Sequence, residues 1–157
     1  MKMGGEALND ERFRRLAFSI APDRDGRTLQ VDGLLLLTGE AERPFRFQVS
    51  RGPGADFMAA AQVFRYVGAA LGRPSVWLAE AGAGSDCLGD PRFQSLKVEM
   101  EPSFDEVVLE VEVILESEGE AAASFGFPWL RRAQSDFAVS SVVFQKVGRS
   151  LERSRAG

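Results

Sequence analysis

The sequence contains no histidine, and Cys87 is the single cysteine among its 157 residues. Without histidine the chain cannot form a Ser–His–Asp triad or a histidine-ligated zinc site, and one thiol cannot form an internal disulfide. Cys87 also lacks the usual base that converts a thiol into a nucleophilic thiolate. No stretch of the sequence has the spaced Asp and Asn ligands of a calcium loop. We therefore predict that the protein is not an enzyme and that it holds no metal or cofactor.

Long apolar runs are also missing. The longest aliphatic run is the four leucines at 34–37, far short of the roughly twenty residues that a membrane-spanning helix needs. Residues 1–15 are polar and charged, without the apolar segment of a signal peptide. The net charge of −4 and the isoelectric point near 5.0 disfavour a nucleic acid as partner. We expect a cytoplasmic protein that binds neither membrane nor nucleic acid.

The composition is that of a globular protein, with 45% hydrophobic and 27% charged residues. Twelve phenylalanines accompany one tyrosine and two tryptophans. Because phenylalanine has no polar group to satisfy, this bias is typical of residues that build a core. We predict a single domain over residues 1–157.

An internal repeat occupies most of the chain. Residues 8–73 align without a gap with residues 88–153, at an offset of 80 positions, and 24 of the 66 aligned pairs are identical. Unrelated sequences of this composition would share about four or five. We interpret the chain as a tandem duplication whose two copies are joined by a linker at 74–87.

Each copy has the pattern of three strands followed by a helix. Apolar residues alternate with polar ones over three segments, and the period then changes to about 3.6 residues. Asp56 and Asp136 stand where a helix N-cap is expected. The predicted fold is α+β: a tandem βββα repeat forms a mostly antiparallel six-stranded sheet with two helices packed on one face. A pseudo-two-fold axis should relate the copies, as in a dimer of the unit.

The copies differ most in the charge of their strands. The second copy carries acidic residues at positions that alternate with the buried set, namely Glu99, Glu101, Glu110, Glu112 and Glu116. The matching residues of the first copy are Ser19, Ala21, Gln30, Asp32 and Leu36. We predict an open sheet face that is acidic in one half and apolar around Leu34 and Leu36 in the other. Such a face is either solubilising or a recognition surface for a basic partner.

The first helix is apolar on a second side as well, where it carries Met58, Ala59 and Tyr66. A helix that is apolar on two sides is usually covered by another element, so we predict a homodimer. Trp77 and Trp129 have no counterpart in the other copy, and each is either a core residue or an interface anchor.

The functional hypothesis is a non-enzymatic module that binds another protein, which is basic where it meets the glutamates. By analogy of fold alone, bacterial secretion chaperones and toxin-immunity proteins are the types considered. The predicted binding residues are the five glutamates with Leu34, Leu36, Met58 and Tyr66. A binder of a small apolar ligand between the helices and the sheet is the first alternative. A carboxylate-dependent enzyme is the second.

Overall fold

The computed structural model describes residues 10–52, 54–71, 87–104, 107–130, 142–147 and 149–151. These residues form six strands and two helical segments, which confirms the predicted α+β class. Residues 74–86 of the predicted linker, which include Trp77, and the predicted N-cap Asp136 lie outside the described residues.

The elements follow one another in the order βββα in each half of the chain. In the first half they are β1 (Phe13–Pro22), β2 (Thr28–Leu37), β3 (Arg43–Ser50) and α1 (Ala55–Leu71). In the second half they are a 3₁₀ turn (Cys87–Gly89), β4 (Phe93–Pro102), β5 (Val108–Ser117), β6 (Ala123–Leu130) and α2 (142–147 and 149–151). Each strand of the second half begins and ends 80 positions after its counterpart in the first.

The start of α1 differs from the prediction. The helix begins at Ala55, and the backbone N–H of Met58 donates to the carbonyl oxygen of Gly54 at 2.9 Å. Asp56 is therefore the second residue of the helix and not its N-cap. Gly54, at a φ of 81°, makes the turn into the helix, which a residue with a Cβ adopts only at a cost.

All six strands belong to one antiparallel sheet in the order β3-β2-β1-β4-β5-β6. The two halves meet where β1 pairs with β4. There Leu16 faces Met100 and Ile20 faces Leu96, on either side of Phe18. At the offset of 80, Leu16 matches Leu96 and Ile20 matches Met100. Exchanging the two halves therefore turns the pair Leu16–Met100 into the pair Leu96–Ile20.

One face of the sheet is buried. Inward-facing residues of the strands join buried residues of α1 and α2 in a single hydrophobic cluster. Four phenylalanines at matching positions contribute to it, namely Phe13, Phe64, Phe93 and Phe144. Each such side chain contributes about 1.5–3 kcal/mol relative to its exposed state. The core therefore occupies the side of the sheet that the helices cover.

Two arginines fasten the ends of elements through backbone carbonyl groups. Arg51, just after β3, donates to the carbonyl oxygens of Leu88 at 3.0 Å and Asp90 at 2.6 Å, ahead of β4. Arg12 donates to the carbonyl oxygen of Leu71 at 2.7 Å, at the C-terminus of α1. Arg51 thus links the end of β3 to the segment just ahead of β4.

Candidate functional site

Four of the five strand glutamates lie together on the open face. Glu99 faces Glu112, and Glu101 faces Glu110, across the antiparallel pair β4–β5. All four are exposed and alternate with fully buried residues of the same strands. We call Glu99, Glu101, Glu110 and Glu112 the glutamate square.

Two cationic residues neighbour the square among the described residues: Arg15 forms ion pairs with it, and Lys97, two positions from Glu99 on the same face of β4, forms none. Arg15 on β1 places its Nη2 3.1 Å from an oxygen of Glu99 and its Nε 4.0 Å from an oxygen of Glu101. In the part of the chain that the structure describes, no ion pair involves Glu110 or Glu112. Like charges that face each other across strands destabilise a sheet by about 0.2–1 kcal/mol per pair. The four carboxylates of the square therefore repel one another, and the ion pairs with Arg15 offset only part of this repulsion.

In the first half, Asp32 matches Glu112, and its charge is neutralised by an arginine of the neighbouring strand. Asp32 on β2 faces Arg46 on β3 and forms an ion pair with it, while Gln30 Nε2 donates to the other carboxylate oxygen at 3.1 Å. The hydrogen bond from Arg46 lowers the pKa of Asp32 below its ordinary value. Glu112 has the equivalent place on β5, but the residue facing it on β6 is Gly126.

Gly126 leaves the space that Glu112 occupies. A Cβ added to Gly126 would lie 2.8 Å from Glu112 Oε2 and 2.9 Å from Oε1, so the carboxylate lies over the backbone of β6. Because the φ of Gly126 is not positive, a larger residue fits the backbone there and would displace only a flexible side chain. The missing cation at 126 is thus a property of the sequence and not a steric requirement.

The apolar half of the face adjoins the square across β1. Leu34 is exposed and Leu36 is half-buried on β2. A shallow groove of about 330 Å³ runs over small residues of β1 between this half and the acidic half. Its open-face lining is Ala17, Ser19, Asp32, Leu34, Lys97 and Glu99.

Glu116 does not belong to the square. It faces Ser95, whose Oγ donates to Glu116 Oε1 at 2.8 Å. Ile114 lies between it and Glu112 on the same face of β5, and four residues of strand place Glu116 about 14 Å from Glu112. The predicted set of five glutamates is therefore a group of four and a separate fifth.

Met58 and Tyr66 are placed on α1, on the covered side of the sheet and away from the glutamates. Met58 is exposed, whereas the Tyr66 ring packs on Phe45 of β3 with centroids 4.7 Å apart. Ala59, expected on the outer side of the helix, is fully buried. The predicted binding residues thus lie on two opposite surfaces of the molecule.

An exposed apolar group at one end of the sheet was not predicted. Phe104 is fully exposed in the β4–β5 turn, with Val107 51% exposed beside it and Leu130 46% exposed at the end of β6. The matching residues of the first half are Arg24, Arg27 and Ser50. We call Phe104, Val107 and Leu130 the apolar tip. Comparing the turns of the copies, as well as their strands, would have identified it.

The edges of the sheet are poor sites for an added strand. Pro44 lies in β3 and Pro128 in β6, and proline has no N–H to donate to a neighbouring strand. Arg43 at the start of β3 forms an ion pair with Glu40 at 2.6 Å. Addition of a strand at either edge of the sheet is therefore disfavoured.

Within the described ranges, no group of three or more His, Cys, Asp or Glu side chains is arranged to hold a metal ion. No helix among those residues is long and apolar enough to cross a membrane. No protein-family model matches the chain, and no curated protein matches it either.

Proposed function

We propose that this protein is a non-enzymatic binding module whose glutamate square receives a basic segment of another protein. The observation that carries the proposal is the contrast between Asp32, paired with Arg46, and Glu112, which faces Gly126. The second half retains the acid at this position but lacks its internal cation. A lysine or arginine of a partner would supply it.

A purely protective role explains the square less well. Charged residues commonly discourage aggregation when they lie on edge strands. The square lies on β4 and β5, which both have neighbours on each side. Its repulsion therefore lowers the stability of interior strands without shielding an edge, whereas a basic partner would relieve it and be steered by it.

The duplication supports the same proposal. We infer that the halves are copies of one unit within a single domain, related by a pseudo-two-fold axis that passes near Phe18 and Val98. Matching strand bounds and the exchange of pairs between β1 and β4 support this inference. In such a chain one copy preserves the neutralised pair, and the other is free to specialise for binding.

Secretion chaperones and toxin-immunity proteins of the cytoplasm remain the proposed types, by analogy of fold alone. Exposed Met58 supports a homodimer through α1. Gel filtration with light scattering tests this, and a monomer at high concentration would argue against it. The small-ligand and enzyme alternatives have no observation among the described residues that favours them.

The decisive variant builds the missing cation into the protein. Gly126→Arg should reproduce the Asp32–Arg46 arrangement and compete with a basic partner. The probe is a short fluorescent oligo-lysine peptide, titrated by anisotropy at low and high salt. We expect salt-sensitive binding to the wild type and a loss of affinity of about tenfold, or 1.4 kcal/mol, in Gly126→Arg.

Two controls separate the square from net charge. Ser50→Arg adds the same charge on the open face of β3, and Glu42→Gln with Glu118→Gln matches the charge change of Glu110→Gln with Glu112→Gln. The controls should bind nearly as the wild type does, whereas the Glu110/Glu112 variant should bind as weakly as Gly126→Arg. Equal binding by all variants would mean that the square is only a solvated surface.

A further inference from the structure

The open face of β5 has a definite order of side chains. Along the strand it presents Val108, Glu110, Glu112 and Ile114, which is apolar, acidic, acidic and apolar. At about 3.4 Å per residue, Val108 and Ile114 are about 20 Å apart. The glutamate square therefore lies between two apolar positions on one face.

Both apolar ends are accessible to a partner. Ile114 is 44% exposed at one end. At the other, Leu130 faces Val108 across β5–β6, and the remaining residues of the apolar tip extend this surface beyond the end of the strands. Exposed apolar groups of this kind, bordered by charge, mark interaction sites in soluble proteins. The first half has arginine or serine where the tip has apolar residues.

We propose that the segment received by the glutamate square is a cationic amphipathic helix. This inference rests on the proposed function and identifies the partner more closely. Basic side chains of the helix pair with the glutamates, and apolar side chains in its first and last turns contact the apolar tip and Ile114. A helix that covers 20 Å needs about thirteen residues, at 1.5 Å per residue.

A helix fits this surface better than an extended segment does. The open face of a sheet offers side chains and no free backbone groups, because the N–H and C=O groups of β4 and β5 pair within the sheet. A partner seated there must satisfy its own backbone hydrogen bonds, which a helix does internally. The prolines of β3 and β6 disfavour the alternative of strand addition at the edges.

Charge selects a protein partner over a lipid surface. The apolar tip alone would suit the interfacial region of a membrane. The square lies next to it, however. Its members Glu101 and Glu110 face each other, one residue before the end of β4 at Pro102 and two residues after the start of β5 at Val108. Its carboxylates repel anionic headgroups and attract lysine and arginine.

The test compares two synthetic peptides. The first is a thirteen-residue helix former with lysines in the middle and leucines in its terminal turns, and in the second serine replaces every leucine. The wild type should bind the first about tenfold more tightly than the second, a difference of 1.4 kcal/mol. Circular dichroism should record a gain of helix when the first peptide binds.

Substitutions in the apolar tip test whether it is responsible for the tighter binding of the leucine peptide. Phe104→Ser with Leu130→Ser should reduce binding of the leucine peptide to the level of the serine peptide, with binding of the serine peptide unchanged. Both residues are exposed, so the fold should be unaffected. Gln48→Ser, at an exposed and uncharged position on the open face of β3, is the control and should change neither affinity.

Each failure has its own meaning. If both peptides bind the wild type equally and the tip variant changes nothing, the amphipathic partner is excluded while the basic partner stands. If neither peptide binds, the proposed function itself fails. Binding of the leucine peptide without a gain of helix would exclude the helical form. Phe104-dependent binding to phosphatidylglycerol vesicles would overturn the choice of a protein partner.

Discussion

The two outer hairpins, β2–β3 and β5–β6, have the same register but differ in the charge that they carry on the open face. In the first, Asp32 faces Arg46, and in the second Glu112 faces Gly126. One hairpin neutralises its acid internally, and the other leaves it exposed to solvent over a glycine. The register is the same in both hairpins, so the difference in charge on the open face comes from the facing residue, Arg46 in one and Gly126 in the other.

On the covered face, the helix residue that contacts the phenylalanines of the edge strand differs between the halves. Tyr66 packs on Phe45 of β3. At the matching position, Lys146 places its Nζ 6.0 Å from the ring centre of Phe125 and 5.8 Å from that of Phe127 on β6. A ring contact in one half is thus replaced by a cation–π contact in the other. Both arrangements cover the phenylalanines of an edge strand.

The largest predicted effect tests whether the two halves contribute equally to the hydrophobic core. Phe64→Ala and Phe144→Ala should each lower the free energy of unfolding by about 3–5 kcal/mol, because each leaves a cavity in the shared cluster. Chemical denaturation measures both. A cost near zero for one variant would mean that the two helices do not contribute equally to the core.

Two strand glycines offer a sharper comparison. A Cβ on Gly33 would lie 2.2 Å from the Phe45 ring, which also packs on Tyr66, so Gly33→Val should cost about 1–3 kcal/mol. Gly126→Val displaces only the end of Glu112 and should be neutral or stabilising, since glycine weakens a strand. Thermal unfolding distinguishes the two variants. Equal losses would mean that Gly126 is also required by packing.

Relief of repulsion in the square is a smaller effect with the opposite sign. Glu101→Gln removes one facing pair of like charges and should stabilise the protein by about 0.2–1 kcal/mol at low salt. The gain should shrink as salt rises, because the charges are exposed. Glu118→Gln, in the β5–β6 turn, is the control and should have little effect. A loss of stability in Glu101→Gln would show that its ion pair with Arg15 outweighs the repulsion.

The smallest effect concerns Asp32. Its pKa is lowered in the folded protein, chiefly by the hydrogen bond from Arg46, so its stabilisation is present above the unfolded pKa of about 3.9 and is lost as pH falls through the lower folded value. Because the carboxylate is 40% exposed, Asp32→Asn should cost less than about 0.5 kcal/mol at neutral pH. Denaturation at pH 7 and pH 2 should reveal a cost only at pH 7. The same cost at both values would assign the effect to packing.

Most of the fold follows from alternation along the chain. Period-two patterns predicted all six strands, because a sheet with one buried face requires every second residue to be apolar. Helix boundaries were less predictable. Asp56 has the chemistry of an N-cap, yet the turn at Gly54 starts α1 one residue before it. Ala59 was assigned to the wrong side of α1 because alanine is compatible with either environment.

The candidate site was predictable in part. Alternation predicts that the strand glutamates share the open face, but it does not say which of them meet. The register of β4 against β5 decides that Glu99 faces Glu112 and that Glu116 lies apart with Ser95. Met58 was grouped with the glutamates by its exposed apolar character alone, and the layer order of the fold separates them.

By itself, the sequence determined the composition of the two faces and the repeat, because local periodicity decides which side of a strand or helix is apolar. It also determined that Arg46 has no counterpart at position 126. Only the tertiary structure decided that these two positions lie opposite Asp32 and Glu112, and that the apolar tip adjoins the glutamate square. Such neighbours depend on strand order and register, which arise from pairing between distant segments and leave no mark on either segment alone.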